Sequence, residues 1–212
     1  MRNKYAKHAK ISEAKFRQIV KLFCLDLTAR QIAEIIHLNR NTVNKYLKGI
    51  RTRCAEYCTE NRPQKLAISK EVKSNEHLSE LIGISVYNKK VYVFLIPEEY
   101  NRLILVKWSQ SSFIRKYLSQ NSCSAIDLVW HLPADNRLSL IDPAMPARLR
   151  KMTSNRLTGF IGYCQNRLAK FKGLHHSTLL MHIKECEFRF NYNTHNNLYH
   201  LVLKIIRNDP LF

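Results

Sequence analysis

Between Leu27 and Leu47 the apolar residues fall at positions 32, 36, 38, 43, 46 and 47, with the small Ala33 beside the first. Few backbones satisfy that spacing. Ile32 and Ile36 share one face of a helix, Leu38 anchors a turn, and Val43 and Leu47 lock a second helix onto the first. Ala33 falls where the two helices cross and lets their backbones approach. His37 stands at the turn position that most often holds Gly. The pattern fits a helix-turn-helix.

A second helix starting near Asn39 would expose Arg40, Asn41, Asn44, Lys45 and Lys48, with Thr42 and Arg51 beside them. These side chains hydrogen-bond base edges and phosphates in a major groove, so double-stranded DNA is the expected partner. Upstream, Ser12 caps a further helix whose apolar face is Ile19, Leu22 and Phe23, although Lys15 stands where a capping box wants Glu. Met1–Lys10 is rich in Lys and Asn and reads as a basic arm for the DNA backbone or minor groove, or as an unstructured terminus. The helical signal continues through Ile50–Thr59 and breaks at Asn61-Arg62-Pro63-Gln64. The expected domains are therefore 1–60 and 61–212.

Charge supports the same partner. The chain of 212 residues carries 35 Lys and Arg against 16 Asp and Glu, a net charge of +19. The excess is collected in two blocks. Residues 1–53 hold 13 Lys/Arg and three acids, and residues 143–184 hold eight Lys/Arg and no acid. Blocks of that kind are the footprint of a polyanion-binding protein. Arg148, Arg150, Lys151, Arg156, Arg167, Lys170 and Lys172 form the candidate second DNA surface. A homodimer is expected, because helix-turn-helix proteins commonly read two half-sites. No apolar run reaches the ~18 residues of a membrane helix, and the basic N-terminus lacks the apolar stretch of a signal peptide. The expected location is the cytoplasm, at the nucleoid. Six cysteines would then stay reduced. Cys54 and Cys58 lie four apart on a helix and read as packing residues, since no second ligand pair accompanies them.

From Leu66 to Ile141 the pattern turns extended. Leu66–Val72 is a strand candidate, Leu81–Tyr87 and Val91–Ile96 flank Asn88-Lys89-Lys90 as a hairpin, and Ser124–His131 is a further strand. Asn101–Leu118 reads as a helix, as do Thr158–Phe171, Ser177–Phe190 and Leu198–Ile206. The fold class is α/β (α+β), a helical helix-turn-helix domain followed by a mixed-sheet body with C-terminal helices.

Two segments carry a resemblance. Thr158-Gly159-Phe160-Ile161-Gly162-Tyr163 with Arg167-Leu168-Ala169-Lys170-Phe171-Lys172-Gly173, followed by His182-Ile183-Lys184-Glu185-Cys186-Glu187-Phe188-Arg189-Phe190-Asn191, resembles the C-terminal signature of small bacterial insertion-sequence transposases of the DDE, RNase H-like type. That group shows "NGIE-x-FW…AKRRLxKFxG…LKECEWRFN" and, near its start, a helix-turn-helix with "LTA…QIA…LNRNT". Here Leu27-Thr28-Ala29, Gln31-Ile32-Ala33 and Leu38-Asn39-Arg40-Asn41-Thr42 match it. The match is strong over 8–60 and 155–210 and weak over 66–142. It implies an RNase H-like body and, in the family, strand transfer through three metal-holding carboxylates.

The three carboxylate positions are not acidic in this chain. The resemblance puts Asn75 at the first, Val129 (or Leu128) at the second and Ile161 at the third. Two-metal phosphoryl transfer needs carboxylates that hold cations about 3.5–4 Å apart, and isoleucine cannot ligate Mg²⁺. Glu76 falls on the opposite strand face from Asn75, and Asp127 lies about 6.6 Å along the strand from Val129. The expectation is a transposase-like, sequence-specific DNA-binding protein without catalytic residues or a cofactor, acting as a regulator or transposition antagonist. Two alternatives stand beside it. One is an active transposase using Mg²⁺, for which Asp127 is the nearest acid. The other is an interaction module whose body binds a protein partner.

Overall fold

The computed structural model describes residues 3–66, 81–96, 127–131, 139–140, 155–171, 176–193 and 197–212. It is an α+β protein divided into two compact units, one formed by residues 1–60 and 191–212, the other by 61–190. Among the described residues no helix is long and apolar enough to cross a membrane.

The first unit is helical: α1 Glu13–Cys24, α2 Ala29–Ile36, α3 Arg40–Glu60 and α6 Leu198–Asn208. Each helix forms for a local reason. Ser12 caps α1 by accepting from the Lys15 N–H. Thr28 and Gln31 form a reciprocal capping box at α2, in which each side chain accepts from the other's backbone N–H. Asn39 opens α3, its Oδ1 accepting from the Asn41 N–H at 2.8 Å. The core is Phe16, Ile19, Val20 and Phe23 of α1, Ile32 and Ile36 of α2, and Val43, Leu47 and Ile50 of α3. Cys54 and Cys58 are buried on α3.

The expected boundary gave everything after residue 60 to the second domain; instead the C-terminal 22 residues belong with the first unit. The physical reason is the apolar stripe of α6, Leu198, Val202, Leu203 and Ile206, which buries itself against α1 and α3.

The second unit holds the short 3₁₀ turn Gln64–Leu66, strands β1 Leu81–Tyr87, β2 Lys90–Leu95, β3 Leu128–His131 and β4 Ser139–Leu140, and helices α4 Asn155–Leu168 and α5 His176–Tyr192, the latter ending two residues past the unit. The sheet order is β2-β1-β3-β4. The β1–β2 connection is two residues long, Asn88 and Lys89, both with positive φ (48° and 61°), as a type I′ hairpin turn requires. Lys90 therefore pairs with Tyr87 inside the ladder rather than sitting in the turn.

Ile82, Ile84, Val91, Val93, Leu128 and Trp130 line one sheet face and pack against Leu157, Phe160, Ile161, Cys164 and Leu168 of α4 and Leu179, Ile183 and Cys186 of α5. The other face is buried as well, with Leu81, Tyr92 and Phe94. Phe94 lies across Gly83, where a Cβ would collide with its ring. The expected mixed sheet is not what forms among the described strands. β3 runs antiparallel to β1, in the register Ile82↔Trp130, and β4 antiparallel to β3. The expected helix Asn101–Leu118, residues 67–72 of the expected strand Leu66–Val72 and residues 124–126 of the expected strand Ser124–His131 lie outside the described residues.

Candidate nucleic-acid interface

α2 and α3 are joined by His37, Leu38 and Asn39. His37 adopts the left-handed conformation (φ 52°, ψ 52°), and its N–H caps the Ala33 carbonyl. The Leu38 N–H reaches the same carbonyl at 3.1 Å. Lys15 of α1 donates to the Ile36 carbonyl at 3.3 Å, placing a cation at the negative end of α2. The end of α2 and the entry to the turn are thus held in place.

Val43, Tyr46, Leu47 and Ile50 turn inward, so the other side of α3 faces solvent. Arg40, Asn41, Asn44, Lys45 and Lys48 are exposed; Thr42 and Arg51 are half-buried. All seven candidates therefore lie on one helix.

Several cations elsewhere in the unit are paired. Glu13 bridges Lys4 and Arg17 at 3.4 and 3.1 Å. Burial acts to raise its pKa, but hydrogen bonds from Arg17 and Lys4 outweigh this and hold the carboxyl below its ordinary value. Arg30 pairs with Glu34 at 3.0 Å. Arg53 pairs with Glu56 at 2.8 Å and Asp209 at 2.6 Å. Among the described residues no carboxylate pairs with Arg40, Lys45 or Lys48. Lys45 meets instead the ring of Phe212, with Nζ 4.3 Å from its centroid.

The N-terminal segment is not a loose arm over its described residues. Tyr5 and Ala6 are buried, Tyr5 stacks on Phe16 at 5.6 Å, and Ala6 bridges to Leu211. The chain ends supply a staple that periodicity could not reveal, because isolated residues rather than a repeating face carry it.

The second expected basic surface fares differently. Arg148, Arg150, Lys151 and Lys172 lie outside the described residues. Lys170 is exposed on the turn after α4. Arg156 is half-buried, with its guanidinium 4.3 Å from the Phe190 ring centroid and donating to the Phe190 carbonyl. Arg167 is not a surface residue at all. It is 3% exposed and donates to Glu185 at 2.6 Å, while Arg189 donates to the same oxygen at 2.8 Å. A buried carboxylate takes its charge, leaving none for a phosphate.

Of the three positions that the resemblance sets against carboxylates, Asn75 lies outside the described residues. Val129 is 8% exposed on β3, and Ile161 is 7% exposed within the apolar core of α4. Asp127, the acid nearest Val129 in sequence, accepts from the Val86 N–H at 2.7 Å while its own N–H donates to the Ile84 carbonyl. Its side chain extends the β1–β3 ladder by one bond.

A polar pair that the sequence reading passed over closes the free edge of β2. Lys184 donates to the Val93 carbonyl and to Glu187, both at 2.6 Å, and Glu187 accepts from the Val93 N–H. Burial raises the Glu187 pKa by more than the Lys184 ammonium lowers it. No family model matches this chain, and no curated protein or solved structure is detectably similar to it.

Proposed function

We propose that the chain is a sequence-specific DNA-binding protein, derived from a transposase that has lost strand-transfer chemistry, and that it acts as a regulator or transposition antagonist. The observation that carries this reading is the cluster of exposed cations on one helix of the first unit. Its acids neutralise Lys4, Arg17, Arg30 and Arg53, while Arg40, Lys45 and Lys48 stand exposed on the outward face of α3. α2, the three-residue turn and α3 then act as a helix-turn-helix. α3 lies in the major groove, where Arg40, Asn41 and Asn44 meet base edges and Lys45, Lys48 and Arg51 meet phosphates.

The second unit supports the loss of chemistry. Ile161 and Val129 are buried apolar side chains, and neither type ligates a divalent cation. In this reading the body is a remnant of an RNase H-like domain. The order hairpin, strand, helices fits that origin, and the antiparallel course of β3 departs from the mixed sheet it implies.

Mobility shifts of the whole protein on fragments of its own genome test the proposal. A subset of fragments should be retained at competitor levels that release the rest, and Arg40→Ala with Asn44→Ala should abolish that preference while leaving general duplex affinity. Unchanged preference in the double variant removes α3 from the account. Metal-dependent nicking of the retained fragments, lost in Asp127→Ala, would establish an active transposase instead.

A further inference from the structure

Residues 3–10 are built onto the flank of α3 by contacts that each use a different group. The Lys7 N–H donates to the Leu211 carbonyl at 2.8 Å, and the Leu211 N–H donates to the Tyr5 carbonyl at 2.9 Å. Leu211 in turn lies against Gly49 of α3, where an added Cβ would sit 3.1 Å from its Cδ1. The adjacent Phe212 covers Lys45 and packs edge-on to Tyr46 at 5.7 Å. The Tyr46 hydroxyl accepts from the Lys10 N–H. Asn3 closes the segment on itself, donating to the Ile11 carbonyl and accepting from the Tyr5 N–H.

The consequence is geometric. Main-chain atoms and the apolar side chains of Tyr5 and Ala6 face inward, while Lys7, His8 and Lys10 are exposed. Among the described residues no carboxylate pairs with Lys7 or Lys10, whereas Lys4 is taken up by Glu13. Two uncommitted ammonium groups therefore sit on a fixed segment, reached from Lys45 through Phe212 and Leu211. A lysine on a backbone already held in place loses less freedom on meeting a phosphate than one on a free arm.

We infer that Lys7 and Lys10 form a second, sequence-independent contact with the phosphate backbone of duplex DNA, beside the groove that α3 enters. The inference rests on the DNA-binding reading above and adds a separate site to it. Each lysine that neutralises a phosphate releases condensed counterions, contributing about 0.9 to the slope of log K against log salt.

The experiment is a salt titration of binding to a mixed-sequence DNA duplex, using the whole protein and its Lys7→Gln, Lys10→Gln double variant. The slope should fall by about 1.8. The variant should retain the same rank order of preferred fragments, because phosphate contacts carry no sequence information. Arg40→Ala with Asn44→Ala should do the reverse, changing the order. A wild-type protein that binds the duplex with the same slope as the double lysine variant overturns this inference and leaves the α3 reading standing. A wild-type protein without salt-dependent duplex binding overturns both. Unchanged circular dichroism of the lysine variant assigns a lost slope to charge rather than to folding.

Discussion

Removal of the Glu185 side chain should destabilise the second unit strongly, and the reason is electrostatic. It is fully buried, and one of its oxygens accepts from Arg167 at 2.6 Å and from Arg189 at 2.8 Å, each of them 3% exposed. Arg167 also donates to the Cys186 sulfur at 3.7 Å, which cannot replace a carboxylate. In Glu185→Ala two buried guanidinium groups would lose the carboxylate they share. Breaking a buried pair in this way costs about 3–5 kcal/mol. With a urea m-value of about 2 kcal/mol/M, the midpoint should fall by about 1.5–2.5 M.

Trp130 is buried in this unit, so tryptophan fluorescence follows its unfolding. The controls follow from the same physics. Glu185→Gln keeps an acceptor oxygen and should lose less. Arg167→Met, Glu185→Leu and Arg189→Met together remove all three charges and should recover much of the loss, since burying ions is itself costly. A Glu185→Ala protein within about 1 kcal/mol of wild type would refute the reasoning. A triple variant as unstable as the single one would show that packing, not charge, governs the site.

Two further outcomes are expected. His37→Gly should stabilise the first unit by about 0.5–1 kcal/mol, because an L-residue pays for the left-handed conformation that glycine adopts freely and the exposed imidazole gives up no packing; a lower melting temperature by circular dichroism would contradict this. The raised Glu187 pKa has a definite sign: the folded protein holds that proton more tightly than the unfolded chain, so this contribution is present below the ordinary value of 4.5 and is lost as pH rises through the folded pKa. The stability difference between wild type and Glu187→Gln, read by fluorescence-monitored urea unfolding, should therefore shrink as pH rises from 4 to 7 by this contribution alone, and a constant difference would show that burial does not raise that pKa.

How much of this was legible beforehand depends on the range of the interaction. The α2–turn–α3 arrangement could be read because its determinants are local: Ile32, Ile36, Val43 and Leu47 repeat with the helical period. The hairpin could be read because Asn88 and Lys89 separate two runs of β-branched and aromatic residues. What was not legible required a partner far away in sequence. The stripe of α6 announces that it will be buried but not against which element, so its docking on α1 and α3 reassigns 22 residues to the first unit.

The misreading of Arg167 has the same origin and a usable remedy. In a stretch without acids from residue 143 to 184, every cation looks free, and the carboxylate that takes this one comes at Glu185, one position beyond the stretch. The signal lay in the company Glu185 keeps. Between Ile183 and Phe190 two acids and two cations alternate with Cys186, Phe188 and Phe190, a density of charge that no apolar helix face tolerates unless the charges satisfy one another. All four prove to be buried and paired, Lys184 with Glu187 against the free edge of β2, and Glu185 with Arg167 and Arg189 inside the unit. Charge counts along a sequence therefore locate a nucleic-acid surface only after the internally neutralised cations are subtracted. That subtraction leaves Arg40, Lys45 and Lys48 standing on α3 and takes Arg167 away from α4.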